Sequence, residues 1–145
     1  MKTLRMLALL LLGTATSLTA QNGPDRSGVE RAALDYLEGF YEGSPEKLQR
    51  SVHPEVLKFG FAWEDDGYRR VPMSFQEMLA FAERVRDQGR QPGPDAAKRV
   101  EVLDVLDQTA VAKVYAGWGS DYLTMARYDG EWKIVQVLWQ SPPRG

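Results

Sequence analysis

The chain has 145 residues with 18 basic and 20 acidic side chains, a single histidine and no cysteine. This length suits one domain, and the slightly negative charge argues against nucleic acid or anionic lipid as a partner. Without cysteine there is no disulfide and no cysteine-linked lipid anchor, so the core must hold by packing.

The first 20 residues read as a secretory signal peptide. Lys2 and Arg5 form a basic start, Met6 to Leu12 is an apolar run, and Ser17-Leu18-Thr19-Ala20 supplies small residues for cleavage after Ala20. Cleavage after Ser17, with Ala15 at the −3 position, is the alternative. The apolar run is too short for a stable membrane anchor. Loss of Lys2 and Arg5 leaves 16 basic and 20 acidic side chains, net −4. A periplasmic or secreted protein is expected.

Residues 21–28 read as a flexible N-terminus, 29–140 as the folded domain and 141–145 as a flexible tail. Ser27 and Glu30 have capping-box spacing at the start of a first helix. Val29, Ala33, Tyr36, Leu37 and Phe40 form its apolar stripe, and Gly43 is its C-cap. Ser44-Pro45 opens a short second helix, with Leu48 and Val52 inward and His53-Pro54 as its stop. Two strands, 57–63 and 68–73, flank Asp65-Asp66-Gly67. Next to Glu64, this acidic turn is a weak calcium candidate or simply a solvated turn. Ser74 and Glu77 cap a third helix that runs to about Gln88, with Met73 and Met78 spaced as a hydrophobic staple.

Four antiparallel strands follow, at 98–107, 109–117, 120–128 and 131–140. Asp129-Gly130 supplies the two positive-φ positions of a type I′ hairpin turn. The implied pairing of 128 with 131, 126 with 133 and 124 with 135 fixes the faces. Asp121, Leu123, Met125, Arg127, Trp132, Ile134, Gln136 and Leu138 share one face. Tyr122, Thr124, Ala126, Tyr128, Lys133, Val135, Val137 and Trp139 share the other. Both faces are apolar enough to need cover. Helices should cover the first and a second copy of the chain the other, making a homodimer through Val111, Tyr115, Tyr122, Val135, Val137 and Trp139. The expected fold class is α+β, with three helices on one face of a mainly antiparallel sheet.

This order of elements resembles the nuclear transport factor 2-like superfamily and, more narrowly, the family called putative lumazine-binding. The matching residues run from Val29-Glu30 through Tyr36 and Tyr41, then from Leu48 to His53-Pro54. Val102-Leu103-Asp104-Val105 and Asp121-Tyr122-Leu123 follow, and Asp129-Gly130-Glu131-Trp132-Lys133-Ile134-Val135 with Leu138-Trp139 closes the match. The resemblance implies a curved sheet wrapped around helices as a cone with a pocket. It points only loosely to chemistry, because one fold hosts many functions.

The candidate catalytic residues are Asp121 and His53. Asp121 stands at the end of an apolar lining, where desolvation favours a neutral carboxyl suited to acid–base work. Alternatively it is a structural acceptor for backbone amides or Trp118. His53 is either an acid or base near neutral pH or a favourable charge at a helix C-terminus. The candidate ligand-binding set is Tyr36, Phe40, Trp63, Trp118, Asp121 and Gln136, mostly aromatic surfaces for a planar ring. Ala110, Ala112 and Ala116 alternate along one strand and leave room for a cavity. No metal-ligand cluster, phosphate loop, dinucleotide fingerprint or nucleophile elbow is present in the sequence. A small planar or apolar ligand bound without a cofactor is the leading expectation, with a cofactor-free isomerase, cyclase or dehydratase using Asp121 and His53 as the alternative.

Overall fold

A computed structural model describes residues 25–143; the expected signal peptide lies outside them. Three helices, α1 (Arg26–Glu42), α2 (Pro45–Ser51) and α3 (Phe75–Asp87), pack on a six-stranded sheet. Its strands are β1 (Val52–Glu64), β2 (Gly67–Pro72), β3 (Lys98–Val105), β4 (Thr109–Ala116), β5 (Gly119–Tyr128) and β6 (Glu131–Gln140), in the order β2-β1-β6-β5-β4-β3. Neighbours are antiparallel except β1 and β6, which run parallel. Among the described residues no helix is long and apolar enough to cross a membrane.

The helices form where their ends are satisfied. Asp25, rather than Ser27, caps α1: its carboxylate accepts from the Gly28 amide at 2.9 Å, and helix begins at Arg26. Residues 25–28, expected to belong to a flexible start, are instead the cap and first turn of α1, and Ser27 and Glu30 make no capping box. Gly43 closes α1 at φ 69°, where a Cβ would lie 2.6 Å from the Arg86 amide nitrogen. Ser44 caps α2 with Pro45 in its first turn, and Ser74 with Glu77 forms a complete capping box on α3. His53-Pro54 does not end α2 as a turn. The chain passes directly into β1 at Val52, and both residues lie in that strand. The tail is also tied down at Ser141: its amide donates to the Phe61 carbonyl at 3.0 Å, and its hydroxyl accepts from the Trp63 amide at 2.7 Å.

The inner face of the sheet meets α1. Val29, Ala33, Tyr36, Leu37 and Phe40 pack against Ala110, Ala112, Val114, Leu123, Met125, Ile134 and Val137, forming one core cluster. Asp129 (φ 50°) and Gly130 (φ 86°) make the expected tight turn, and pairing of 128 with 131 and 126 with 133 follows. A bulge then changes the register: Met125 faces Ile134, but Thr124 faces Gln136. Val135 is the extra residue. Because side chains alternate with period 2, it turns over everything beyond it. Val137 is fully buried and Trp139 lies on the inner face, whereas Gln136 and Leu138 are exposed on the outer face. The hairpin expectation is corrected there. The β4–β5 connection also tightens to Gly117-Trp118, since Ala116 already pairs with Gly119.

Trp132, just after the tight turn, is buried against the N-terminus of α1, and its indole N–H donates to Asp25 at 3.1 Å. Trp132→Ala should therefore lower stability by about 3–5 kcal/mol, the usual cost of removing a large buried aromatic. Trp132→Phe should lose only about 1 kcal/mol, the hydrogen bond to the helix cap. Urea unfolding of both variants measures the two terms.

Candidate functional site

The site begins with a lysine in a place where sequence alternation suggests none. Along β1, Leu57, Phe59 and Phe61 are apolar and alternate with Lys58, Gly60 and Ala62. The apolar set faces outward. Lys58 is only 7% exposed, and it points inward from the row that also carries Val137, Leu123 and Ala112. Gly60 is next to it on the inner face, and a Cβ there would lie 2.3 Å from the Trp139 ring. The glycine thus admits the indole that the β6 bulge turns inward.

Lys58 ends in a polar network held by three other elements. Its ammonium donates to the Tyr36 hydroxyl of α1 at 2.6 Å. That hydroxyl donates to Asp121 Oδ2 of β5 at 2.5 Å. The other oxygen, Oδ1, accepts from the Trp118 indole N–H at 2.7 Å. Lys58 Nζ lies 3.6 Å from Asp121 Oδ2, so the two charges face each other across the tyrosine oxygen. Trp118 is fixed by its turn. The Gly117 amide donates to Tyr41 Oη at 2.7 Å, and Tyr41 in turn donates to the Ala97 carbonyl at 2.6 Å. Burial pulls the Lys58 ammonium below the ordinary lysine range, although Asp121 opposes this. Burial first, and the Asp121 charge second, push Tyr36 well above its usual range, so it stays a donor.

A cavity of about 490 Å³ opens over this network, within the usual range for small-molecule sites. Lys58 forms part of its floor. Phe40, Phe81, Trp118 and Trp139 supply aromatic walls, and Met73, Val71 and Pro72 line the side beneath α3. The ammonium lies 5.4 Å from the Phe40 ring centroid and 6.0 Å from that of Trp139. Two α3 side chains, Glu77 and Arg84, also line the cavity. Glu77 is engaged by Ser74, while Arg84 makes no ion pair among the described residues.

Of the residues singled out in the sequence, Phe40 and Trp118 line the cavity. Tyr36 and Asp121 lie fully buried behind Lys58 and Trp118 and do not line the cavity themselves. Trp63 packs edge-to-face on Tyr68 at 4.9 Å, near the β1–β2 turn and away from the cavity. Gln136 is on the outer face. His53 stacks on Tyr128 at 4.7 Å, at the opposite end of β5 from Asp121. At about 3.3 Å per residue, the stretch from 121 to 128 spans roughly 23 Å. Asp121 and His53 therefore do not form one acid–base pair. The missed residues are Lys58, Phe81 and Trp139. The small Gly60 and Ala62 between large residues were the one signal in the sequence that this side of β1 faces something bulky.

Comparisons with known proteins bear on the family and the fold. A family model described as "Putative lumazine-binding" matches residues 24–140. Among solved structures, a nuclear transport factor 2-like protein of unknown function from Silicibacter pomeroyi is 17% identical with a TM-score of 0.67, covering 81% of this chain and 95% of its own. A similar protein of unknown function from Methylobacillus flagellatus is 19% identical with a TM-score of 0.62, covering 81% and 92%. A naphthalene 1,2-dioxygenase chain, solved with indole in its active site, is 16% identical with a TM-score of 0.56, covering 86% and 84%. At these identities the likeness is one of fold. No curated protein matches the sequence. With a family match spanning nearly all of the described residues, the chain belongs to the putative lumazine-binding family, and its α+β fold is like that of nuclear transport factor 2-like proteins.

Proposed function

We propose that the protein is an exported, noncatalytic binder of a small planar ligand that carries a carbonyl group. One observation carries this reading: a buried ammonium on the floor of an aromatic-walled cavity, with hydrogen-bonding capacity left over. Lys58 has three N–H donors, of which one is taken by Tyr36 and another is oriented by the more distant Asp121. A guest oxygen can take the remainder. Since Asp121 already balances the lysine charge, a neutral carbonyl suits the floor better than a second carboxylate. Lumazine, the flat fused-ring dione in the family's name, has that chemistry.

Titration with lumazine, followed by tryptophan fluorescence, tests the reading. Trp118 and Trp139 should report binding. Lys58→Met should weaken it at least about tenfold, the loss expected for a hydrogen bond to a charged donor. Ala80→Phe, which fills the cavity from α3, should abolish it. Unchanged binding in both variants would move the site elsewhere. Asp121→Asn should cost about 1–3 kcal/mol of stability, because its carboxylate accepts two side-chain hydrogen bonds in a fully buried position.

We further propose a homodimer through the outer sheet face. With the bulge taken into account, the apolar residues there are Leu57, Phe59, Phe61, Val111, Tyr122 and Leu138, of which Tyr122 is 49% and Leu138 37% exposed. Phe59, Leu138 and Tyr122 are direct neighbours across β1, β6 and β5, and Val111 lies diagonal to Tyr122 on β4. Tyr122→Glu combined with Leu138→Glu should yield a soluble monomer by light scattering. An unmutated protein that stays monomeric at high concentration would end this proposal.

Export is proposed from the sequence of residues 1–20 alone. N-terminal sequencing of protein from the periplasm or culture medium should begin at Gln21. Recovery of only the full-length chain from the cytosol would overturn it.

A further inference from the structure

We infer that Lys58 captures its ligand covalently and reversibly, condensing with an aromatic aldehyde or ketone in the cavity to form an imine, with Tyr36 and Asp121 moving the protons. The inference rests on the reading of this cavity as the ligand site and names a reaction there.

Three features of the geometry support it. First, Lys58 is set apart from the other lysines in the described residues. Lys47 is paired with Glu38 and Glu42, Lys98 with Glu38, Lys113 lies over Tyr115 and Tyr122 on the outer face, and Lys133 donates to the Arg50 carbonyl. Lys58 alone among these faces an apolar, aromatic-walled cavity.

Second, the network is a continuous proton path. The ammonium donates to Tyr36 Oη at 2.6 Å, and the same oxygen donates onward to Asp121 Oδ2 at 2.5 Å. Two short proton movements convert ammonium, phenol and carboxylate into amine, phenol and carboxylic acid, with no heavy atom displaced. Burial holds the lysine below its ordinary range, which eases loss of its proton along this path. The Trp118 indole still has an acceptor on the other carboxyl oxygen throughout.

Third, Phe40, Phe81, Trp118 and Trp139 surround the space above the amine, where a flat ring would bring its carbonyl to Nζ.

The step balances without an oxidant, reductant or cofactor. The amine lone pair forms an N–C bond to the carbonyl carbon, and the C=O π pair moves to oxygen. A proton shift from nitrogen to that oxygen gives the carbinolamine. The C–O bond then breaks with proton assistance relayed from Asp121 through Tyr36, and water leaves. The resulting iminium either keeps its proton, paired with the Asp121 carboxylate, or returns it along the same path. Water reverses every step, so the ligand can be released.

The test uses the full-length chain and 2-naphthaldehyde as the probe, with sodium cyanoborohydride to reduce the imine to a stable amine. Intact mass and peptide mapping locate the adduct. The expected result is one adduct at Lys58 at probe concentrations that leave Lys47, Lys98, Lys113 and Lys133 unmodified. Tyr36→Phe should slow its formation by about a hundredfold, the range for loss of a positioned proton-transfer group. 2-Naphthylmethanol, which cannot condense, should bind the wild type by tryptophan fluorescence and leave every lysine unmodified. If 2-naphthylmethanol binds but Lys58 stays unmodified, covalent capture is overturned and the binding reading stands. If neither compound engages the cavity, both fall. Labelling spread evenly over all lysines also overturns the inference.

Discussion

Burial of the Lys58 charge is the constraint on which the site depends. An ammonium taken out of water needs a partner in the same low-dielectric space, and Asp121 supplies it at 3.6 Å from across β6. The two residues do not share a row of the sheet. Asp121 pairs with Trp139, whose parallel neighbour is Gly60, while Lys58 pairs with Val137 one row away. Tyr36 closes the diagonal gap from above. The hydrogen-bond pattern therefore fixes the rotation of α1 about its axis and its height over the sheet, because the hydroxyl has to meet both groups at once. The Trp118 turn is fixed by the same carboxylate. One ion pair thus ties together α1, β1, β5 and the β4–β5 connection.

Much of the frame was legible in the sequence. Local chemistry decides helix ends and tight turns, so Ser44-Pro45, Ser74 with Glu77, Gly43 and Asp129-Gly130 announced themselves. The inward set of β4 and the inward placement of Asp121 also followed from simple alternation. The exceptions came where alternation was interrupted or misleading. A bulge at Val135 leaves no clear mark in Trp-Lys-Ile-Val-Gln-Val-Leu-Trp, yet it exchanges the faces of Gln136, Val137, Leu138 and Trp139. In β1, residues 57, 59 and 61 look like a core face because they are large and apolar. They are instead the outer face, and the polar and small residues between them look inward. Period 2 reveals that a strand has two faces; it does not say which is inside when both faces of the sheet require cover.

These two departures meet at one point. The bulge turns Trp139 inward, and Gly60 provides the hollow that receives its ring. Without the bulge, Leu138 would face the helices, Trp139 would lie on the outer surface and the cavity would lose an aromatic wall. Without the glycine, the indole and β1 would compete for the same space. Neither device strengthens the sheet: a bulge leaves a residue out of the ladder, and glycine weakens a strand. Together they make a chamber above Lys58.

Stability alone gives no reason for this arrangement. A buried ion pair seldom outperforms well-packed apolar residues of the same volume, because desolvation consumes most of the attraction. Tyr36 and Asp121 are satisfied within the protein, whereas Lys58 is the charged member of the network that lines the cavity. The polar groups are thus ordered by depth. The carboxylate and phenol are set back from the cavity, and the amine that they orient belongs to the residue that lines it. A purely structural pair would have no need of such an order, nor of an aromatic-walled space on the side of the lysine alone. The internal charge balance further restricts what can enter: a neutral acceptor meets a donor already matched by Asp121, while an anionic guest would set its charge against that carboxylate. Arg84 stands at the cavity wall formed by α3. The cavity thus carries two cationic side chains in different settings, Lys58 paired with Asp121 and Arg84 in no ion pair among the described residues.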